Sequence, residues 1–200
     1  MKYSVKDSFH KLKVTAFAAT ITLAASASFA HSYKDDGNDE TARVIAKGKL
    51  AQIEQLIDDG LDINQNIGND GTPLIIAVQS ERNDIVKYLV ERGADVNKAS
   101  IQDGNPLINA ALTNNVELLD YLHRHGAQLD IIVEHDETAL ISASRAGNFK
   151  AVKFLVEHGA DVNLSVLVEK IRGDTELRSP LNGAKTKEIY RYLIANGAES

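Results

Sequence analysis

Asp70-Gly71-Thr72-Pro73-Leu74, continued by an apolar run and closed by Gly93-Ala94-Asp95-Val96-Asn97, decides the architecture of this 200-residue chain. Asp70-Gly71 makes a turn. Thr72 offers a hydroxyl to cap a helix, and Pro73 takes the first helical position, where its missing N–H costs nothing. Leu74 and Ala77 face inward, and the small Ala77 lets a paired helix approach closely. Ile85, Val86, Leu89 and Val90 then supply the buried stripe of a second helix. Gly93 adopts the left-handed conformation that ends a helix without a Cβ clash.

The same phrase recurs along the chain. Thr72-Pro73-Leu74, Asn105-Pro106-Leu107 and Thr138-Ala139-Leu140 start 33 residues apart, and Gly60, Gly93, Gly126 and Gly159 keep that step, as do Asn64, Asn97, Asp130 and Asn163. A fixed period of this length means stacked supersecondary units, each leaning on its neighbours, rather than one globular core. The units fall at about 39–68, 69–101, 102–134, 135–167 and 176–200. The first lacks the Thr-Pro-Leu opening and reads as an N-terminal cap. Its second helix carries the stripe Leu50, Ile53, Leu56 and Ile57. The last unit is irregular. Gly159 to Gly197 is 38 residues, because the segment before Pro180 gains 8 and the helix pair after it loses 3. Pro180-Leu181 nevertheless restarts the phrase, and Ile189, Tyr190, Tyr192, Leu193 and Ile194 give a final apolar face.

Asp-Gly-Thr-Pro-Leu, helix, turn, helix, then Gly-Ala-Asp-Val-Asn resembles the ankyrin repeat, over about residues 39–198. The resemblance implies an all-α repeat solenoid of helix-turn-helix units, with short β-hairpin fingers along one edge. It also implies a non-catalytic module that binds proteins through the finger tips and the concave face of the first helices. Some exported bacterial proteins of this family support periplasmic defence enzymes such as catalases. One departure is systematic. The histidine that usually follows Thr-Pro-Leu, and ties neighbouring loops by hydrogen bonds, is replaced by Ile75, Ile108 and Ile141. Apolar packing is expected in its place.

Residues 1–30 stand outside the repeat. Lys2, Lys6, Lys11 and Lys13 precede an uncharged apolar run, Val14 to Ala25, and both Ala25-Ser26-Ala27 and Ser28-Phe29-Ala30 place small residues as a signal peptidase needs them. This pattern predicts a secretory signal peptide, too short for a stable membrane anchor. Residues 31–38 read as a flexible lead-in to the repeat domain at 39–200. Removing residues 1–30 takes Lys plus Arg from 22 to 18 and Asp plus Glu from 28 to 27, so the mature chain is near −9. An acidic surface disfavours nucleic acid and anionic membranes. The chain has no cysteine, so disulfides are excluded and stability must come from packing. The expected compartment is the periplasm, with full secretion as the alternative, and the expected state is a monomer.

Where the framework is fixed, the varying positions are free to carry specificity. On the first helices these are Gln79 and Ser80, Leu112 and Thr113, and Arg145 and Ala146. On the fingers they are Asn66, Asn69, Ile101, Gln102, Glu134, His135 and Glu137. Two finger segments are unusually apolar: Ile131-Ile132-Val133, and Val166-Leu167-Val168 in the long finger at 164–178, which continues into Lys170 and Arg172. Exposed apolar clusters mark contact sites. The residues assigned to partner binding are therefore Gln79, Ser80, Ile101, Gln102, Leu112, Thr113, Glu134, His135, Arg145, Val166, Val168, Lys170 and Arg172. No catalytic, cofactor or metal residue is assigned. His123 and His125 point to different helix faces. His125 and His158 sit just before stop glycines, where an imidazole can bind the last carbonyls. No spacing matches a zinc set, and Ser142 and Ser144 have no His–Asp company.

The expected function is an adaptor, inhibitor or assembly helper for another exported protein. An effector that binds a host protein is the alternative, and an enzyme or haem or metal carrier the remote one. The repeat reading predicts that Leu155→Ala costs roughly 2–4 kcal/mol by opening a cavity. Gly126→Val should also be damaging, because a branched residue resists the left-handed cap. Urea melting of the two variants against wild type tests both, and unchanged midpoints would refute the burial assignment.

Overall fold

The structure, a computed structural model, describes residues 38–101, 103–133, 137–169 and 175–199. The expected signal peptide and most of the expected lead-in lie outside the described residues. Four helix pairs follow one another: α1 (Asn38–Lys47) with α2 (Leu50–Asp58), α3 (Pro73–Gln79) with α4 (Asn83–Glu91), α5 (Pro106–Leu112) with α6 (Val116–Arg124), and α7 (Ala139–Ala146) with α8 (Phe149–Glu157). A hairpin of β1 (Val166–Glu169) and β2 (Thr175–Arg178) comes next, then α9 (Lys187–Ala195). First helices pack on first helices (α1, α3, α5, α7), and second helices on second helices (α2 on α4, α6 on α8, α8 on α9), with α4 and α6 joined through Lys87, Glu117 and Tyr121. One apolar core runs through the stack from Ala42 to Ala198. This is the all-α repeat solenoid that the resemblance implies.

Each start signal works as the residue types require. The Thr72 and Thr138 hydroxyls accept from the Ile75 and Ile141 amides, both at 3.3 Å, and the Asn105 side chain accepts from Ile108 at 2.9 Å. Pro73 and Pro106 occupy the first helical turn. The helices are only two to three turns long, too short to stand alone in water, so packing between units must hold them. Ile75, Ile108 and Ile141 are buried to within about a hundredth of their surface. Apolar packing thus fills the place where this repeat usually carries histidine.

The loops are tied by a different set of bonds. Asn64 accepts from the Asp95 amide at 2.8 Å, Asn97 from Gln128 at 2.9 Å, Asp130 from Asp161 at 3.1 Å and Asn163 from Glu199 at 2.8 Å. Asn97 and Asn163 also donate, to the Gly126 and Gly197 carbonyls, each at 3.0 Å. The carboxylate of Asp130 has no N–H to give. The stop glycines that expose these carbonyls have positive φ, +93° at Gly126 and +89° at Gly197.

The fifth unit departs from the expected helix pair. Residues 180–183 form a turn, and α9 is the unit's sole helix among the described residues. The reason is length. Pro73 to the α4 cap at Arg82 is 9 residues, whereas Pro180 to the α9 cap at Thr186 is 6, too few for two helical turns and a reversal. Ser179 and Asn182 close the turn reciprocally, the Ser179 amide donating to the Asn182 side chain at 2.8 Å and the Asn182 amide to the Ser179 hydroxyl at 3.2 Å. The turn takes the missing helix's place over the end of α7. There the Lys185 amide donates to the Ser144 carbonyl at 3.1 Å, and its ammonium to the Ala146 carbonyl at 3.3 Å. At the N-terminal end, α1 begins at Asn38, the last residue of the expected lead-in.

Asn97→Ala removes one accepted and one donated bond between adjacent units, and should cost about 1–2 kcal/mol. Thermal melting checks it. The same change at Asn66, outside the repeating set, should leave the melting point within error.

Candidate functional site

The side of the stack where α5, α7 and the β1–β2 hairpin converge carries an open recess of about 330 Å³, lined by Leu112, Glu137, Ser142, Arg145, Ala146 and Arg178. Leu112 ends α5 and is half exposed. Arg145 lies in the last turn of α7, and its side chain is exposed although Ile141, one turn earlier, is buried. Glu137 immediately precedes the Thr138 cap, and only 3% of it is exposed.

A buried carboxylate needs partners, and Glu137 has two guanidinium groups. Arg145 and Arg178 both donate to its Oε1. Arg178 also reaches Glu176, Nε to Oε2, at 3.3 Å. Burial works to lower the Arg178 pKa. The hydrogen bond and charge of Glu137, with those of Glu176, more than offset this and raise it, so the guanidinium stays charged in its half-buried seat. Gly183 packs against Arg145 so closely that a Cβ there would fall 2.6 Å from its Cγ. Arg145 is therefore confined from two sides, with its outer edge still exposed.

The ion-paired cluster folds the long finger back onto α7. In the hairpin, Val166 pairs with Arg178, Leu167 with Leu177, and Val168 with Glu176. Side chains alternate across a strand. Val166 is buried and Arg178, Val168 and Glu176 are half-buried, while Leu167 and Leu177 form an exposed cross-strand pair, Leu167 at 67%. The finger at 131–133 alternates in the same way: Val133 is buried, Ile131 half-buried and Ile132 exposed.

Several sequence-assigned residues meet here and others do not. Leu112 and Arg145 line the recess, and Ile101 stands exposed on its finger. Gln79 is exposed, but its amide is engaged, donating to Asn109 at 3.1 Å across adjacent first helices. Ser80 caps α3 at its C-terminal end, and Thr113 turns its hydroxyl to the Ala110 carbonyl at 3.1 Å. Val166 requires a correction. Assigned to partner contact, it is buried, because the strand alternates from that residue and presents Leu167 instead. Val168 lies half-buried on the same inner face. Gln102, Glu134, His135, Lys170 and Arg172 lie outside the described residues. The sequence reading passed over Arg178, Leu177 and Glu176. Alternating Thr-Glu-Leu-Arg before Pro180 was the available sign of a strand.

The histidines act as helix ends need. The Nδ1 atoms of His125 and His158 lie 2.8 Å from the Tyr121 and Phe154 carbonyls four residues back. Among the described residues no group of three His, Cys, Asp or Glu side chains is placed to hold a metal ion. Ser144 is fully buried, with its hydroxyl on the Leu140 carbonyl at 2.8 Å.

Glu137→Gln leaves two guanidinium groups facing a neutral amide. The expected loss is about 1–3 kcal/mol, less than for a fully buried pair because both arginines reach solvent. Urea melting measures it. Hydrogen exchange at 175–178 should rise more than at α5, and equal protection in variant and wild type would mean that the ion pairs do not hold the finger.

The geometry is a repeat stack with an open, partly apolar flank. A family model described as ankyrin repeats (3 copies) matches residues 18–100 and 98–166, stopping before β2 and α9. No curated protein matches the chain. With well over half of its residues inside the matched stretches, the chain belongs to the ankyrin-repeat family, whose members are protein–protein interaction modules and generally not catalysts.

Proposed function

We propose that this chain is a non-catalytic ankyrin adaptor that binds another exported protein, as its inhibitor or assembly helper. It works in the periplasm as a monomer after loss of residues 1–30. The observation that carries the binding surface is the set of exposed apolar side chains: Leu112 at the recess, Leu167 and Leu177 on the long finger's hairpin, and Ile101 and Ile132 on the earlier fingers. They sit on a framework whose interior is spent on neighbour-to-neighbour packing. Such residues are where an interface finds its energy, and the confined arginine beside them supplies orientation. An open recess suits a protein surface better than a small substrate, which needs an enclosing, water-excluding pocket. The export step rests on the basic start, apolar run and small-residue cleavage pattern of residues 1–30. No helix among the described residues is long and apolar enough to cross a membrane.

Crosslinking capture from a periplasmic extract tests the reading. Leu112→Asp with Leu167→Asp should lower recovery of the captured partner by about ten-fold or more, because charges at central contact positions cost most. Undiminished capture would remove this flank from the interface. Mature chain recovered from the culture medium or a host cytosol would replace the periplasmic adaptor with a secreted effector.

A further inference from the structure

The second helices follow a positional pattern that α9 breaks. Seven residues before the stop glycine stand Ile53, Val86, Leu119 and Val152 in α2, α4, α6 and α8, all fully buried, whereas α9 has Tyr190, 48% exposed. Three residues before it stand Ile57, Val90, His123 and Val156, all half-buried, whereas α9 has Ile194, 45% exposed. The other end of the stack is finished differently. The eighth and fifth residues before Gly60 are Gln52 and Gln55. Later helices carry Ile85, Leu118, Ala151 and Ile189, and then Tyr88, Tyr121, Phe154 and Tyr192, at those places, where each helix meets the one before it. Polar side chains close the first unit. Apolar ones are left open on the last.

Contacts inside the stack show what such a face receives. His123 of α6 meets the Phe154 ring of α8 edge-on, with centroids 6.3 Å apart. Lys87 of α4 pairs with Glu117 in the first turn of α6 at 3.2 Å, and its ammonium lies 5.9 Å from the Tyr121 ring. Signs are opposite at this pair of positions in the later units too, Asp120 with Lys150 and Lys153 with Glu188 by register. The residue at the Lys87 position in α9 is Arg191, which is exposed. Its complement on an arriving helix is an acid.

We propose that the outer face of α9 docks one amphipathic helix of a partner protein. That helix carries an acidic residue in its first turn, an aliphatic residue next to it and an aromatic residue three positions further on. It takes the place a following second helix would take, with its acid on Arg191 and its apolar pair on Tyr190 and Ile194. A second copy of this chain fits less well. Head to tail, Tyr190 and Ile194 would meet Gln52 and Gln55. A single helix laid on an apolar face is a common recognition mode. The inference goes beyond the adaptor reading and uses none of the residues of the recess flank.

The probe is a hydrocarbon-stapled peptide of residues 115–126, which presents Glu117, Leu118 and Tyr121 on one face. The staple is needed because so short a helix is marginal in water. Calorimetry with the full chain should show saturable binding, at least about ten-fold weaker for Tyr190→Glu with Ile194→Lys. Arg191→Glu should weaken it too, and recover with a peptide carrying Lys in place of Glu117. Circular dichroism confirms that the variants keep their helices. Leu112→Asp should bind the peptide as wild type does while losing the captured partner of the recess flank, so the two surfaces stand or fall separately. Absence of saturable binding, equal binding by the double variant, or no recovery on charge reversal would overturn the proposal. So would a wild type that sediments as a dimer beside a monomeric double variant, because that assigns the face to a second copy.

Discussion

Everything in this fold depends on burial between successive units. No helix pair has a core of its own. Ile75, Ile108 and Ile141, in the first turns of α3, α5 and α7, are fully enclosed although each helix is only about two turns long. This constraint makes stability a sum over joints rather than a property of one centre. It also explains why the chemistry of the chain is so conservative inside and so varied at its rim. A residue that leans on two neighbours is fixed by both, whereas a residue at a helix end or finger tip answers to neither.

The hydrogen bonds of the joints carry the same logic. With isoleucine after Thr-Pro-Leu, the loops are held from the finger side by Asn64, Asn97, Asp130 and Asn163, whose side chains satisfy amides and carbonyls that the stop glycines leave open. A left-handed glycine and a polar side chain some thirty residues away are thus two halves of one device.

The regular part of the molecule was legible because its signals are local. Thr72 and Pro73 specify a helix start within a few residues, and Gly93 specifies the stop. The fifth unit was misread because Pro180-Leu181 is the right local signal in a segment too short to obey it, so chain length overrode propensity. Glu137 was visible as a variable finger residue, but its role was not. Its partner Arg178 lies 41 residues on, in a strand that exists only once the finger has folded back. Val166 was placed on the wrong face for a related reason. An alternating strand has two equivalent readings until something long-range, here the ion pairs of Arg178, selects one.

Asp130 gives the stack a grain. At that joint a carboxylate accepts one amide and can return nothing, while the next joint has both bonds of Asn163, the Lys185 contacts over α7 and the Glu137–Arg178 pair behind it. Thermal breathing should not peel the repeats away singly from the C-terminal end. The fourth and fifth units should stay together as one block, while the joint at Asp130 is held instead by Asn148, whose amide donates to the Ala111 and Leu112 carbonyls at 2.8 and 2.7 Å, and by Asn114, which accepts from the Ala151 amide at 3.0 Å.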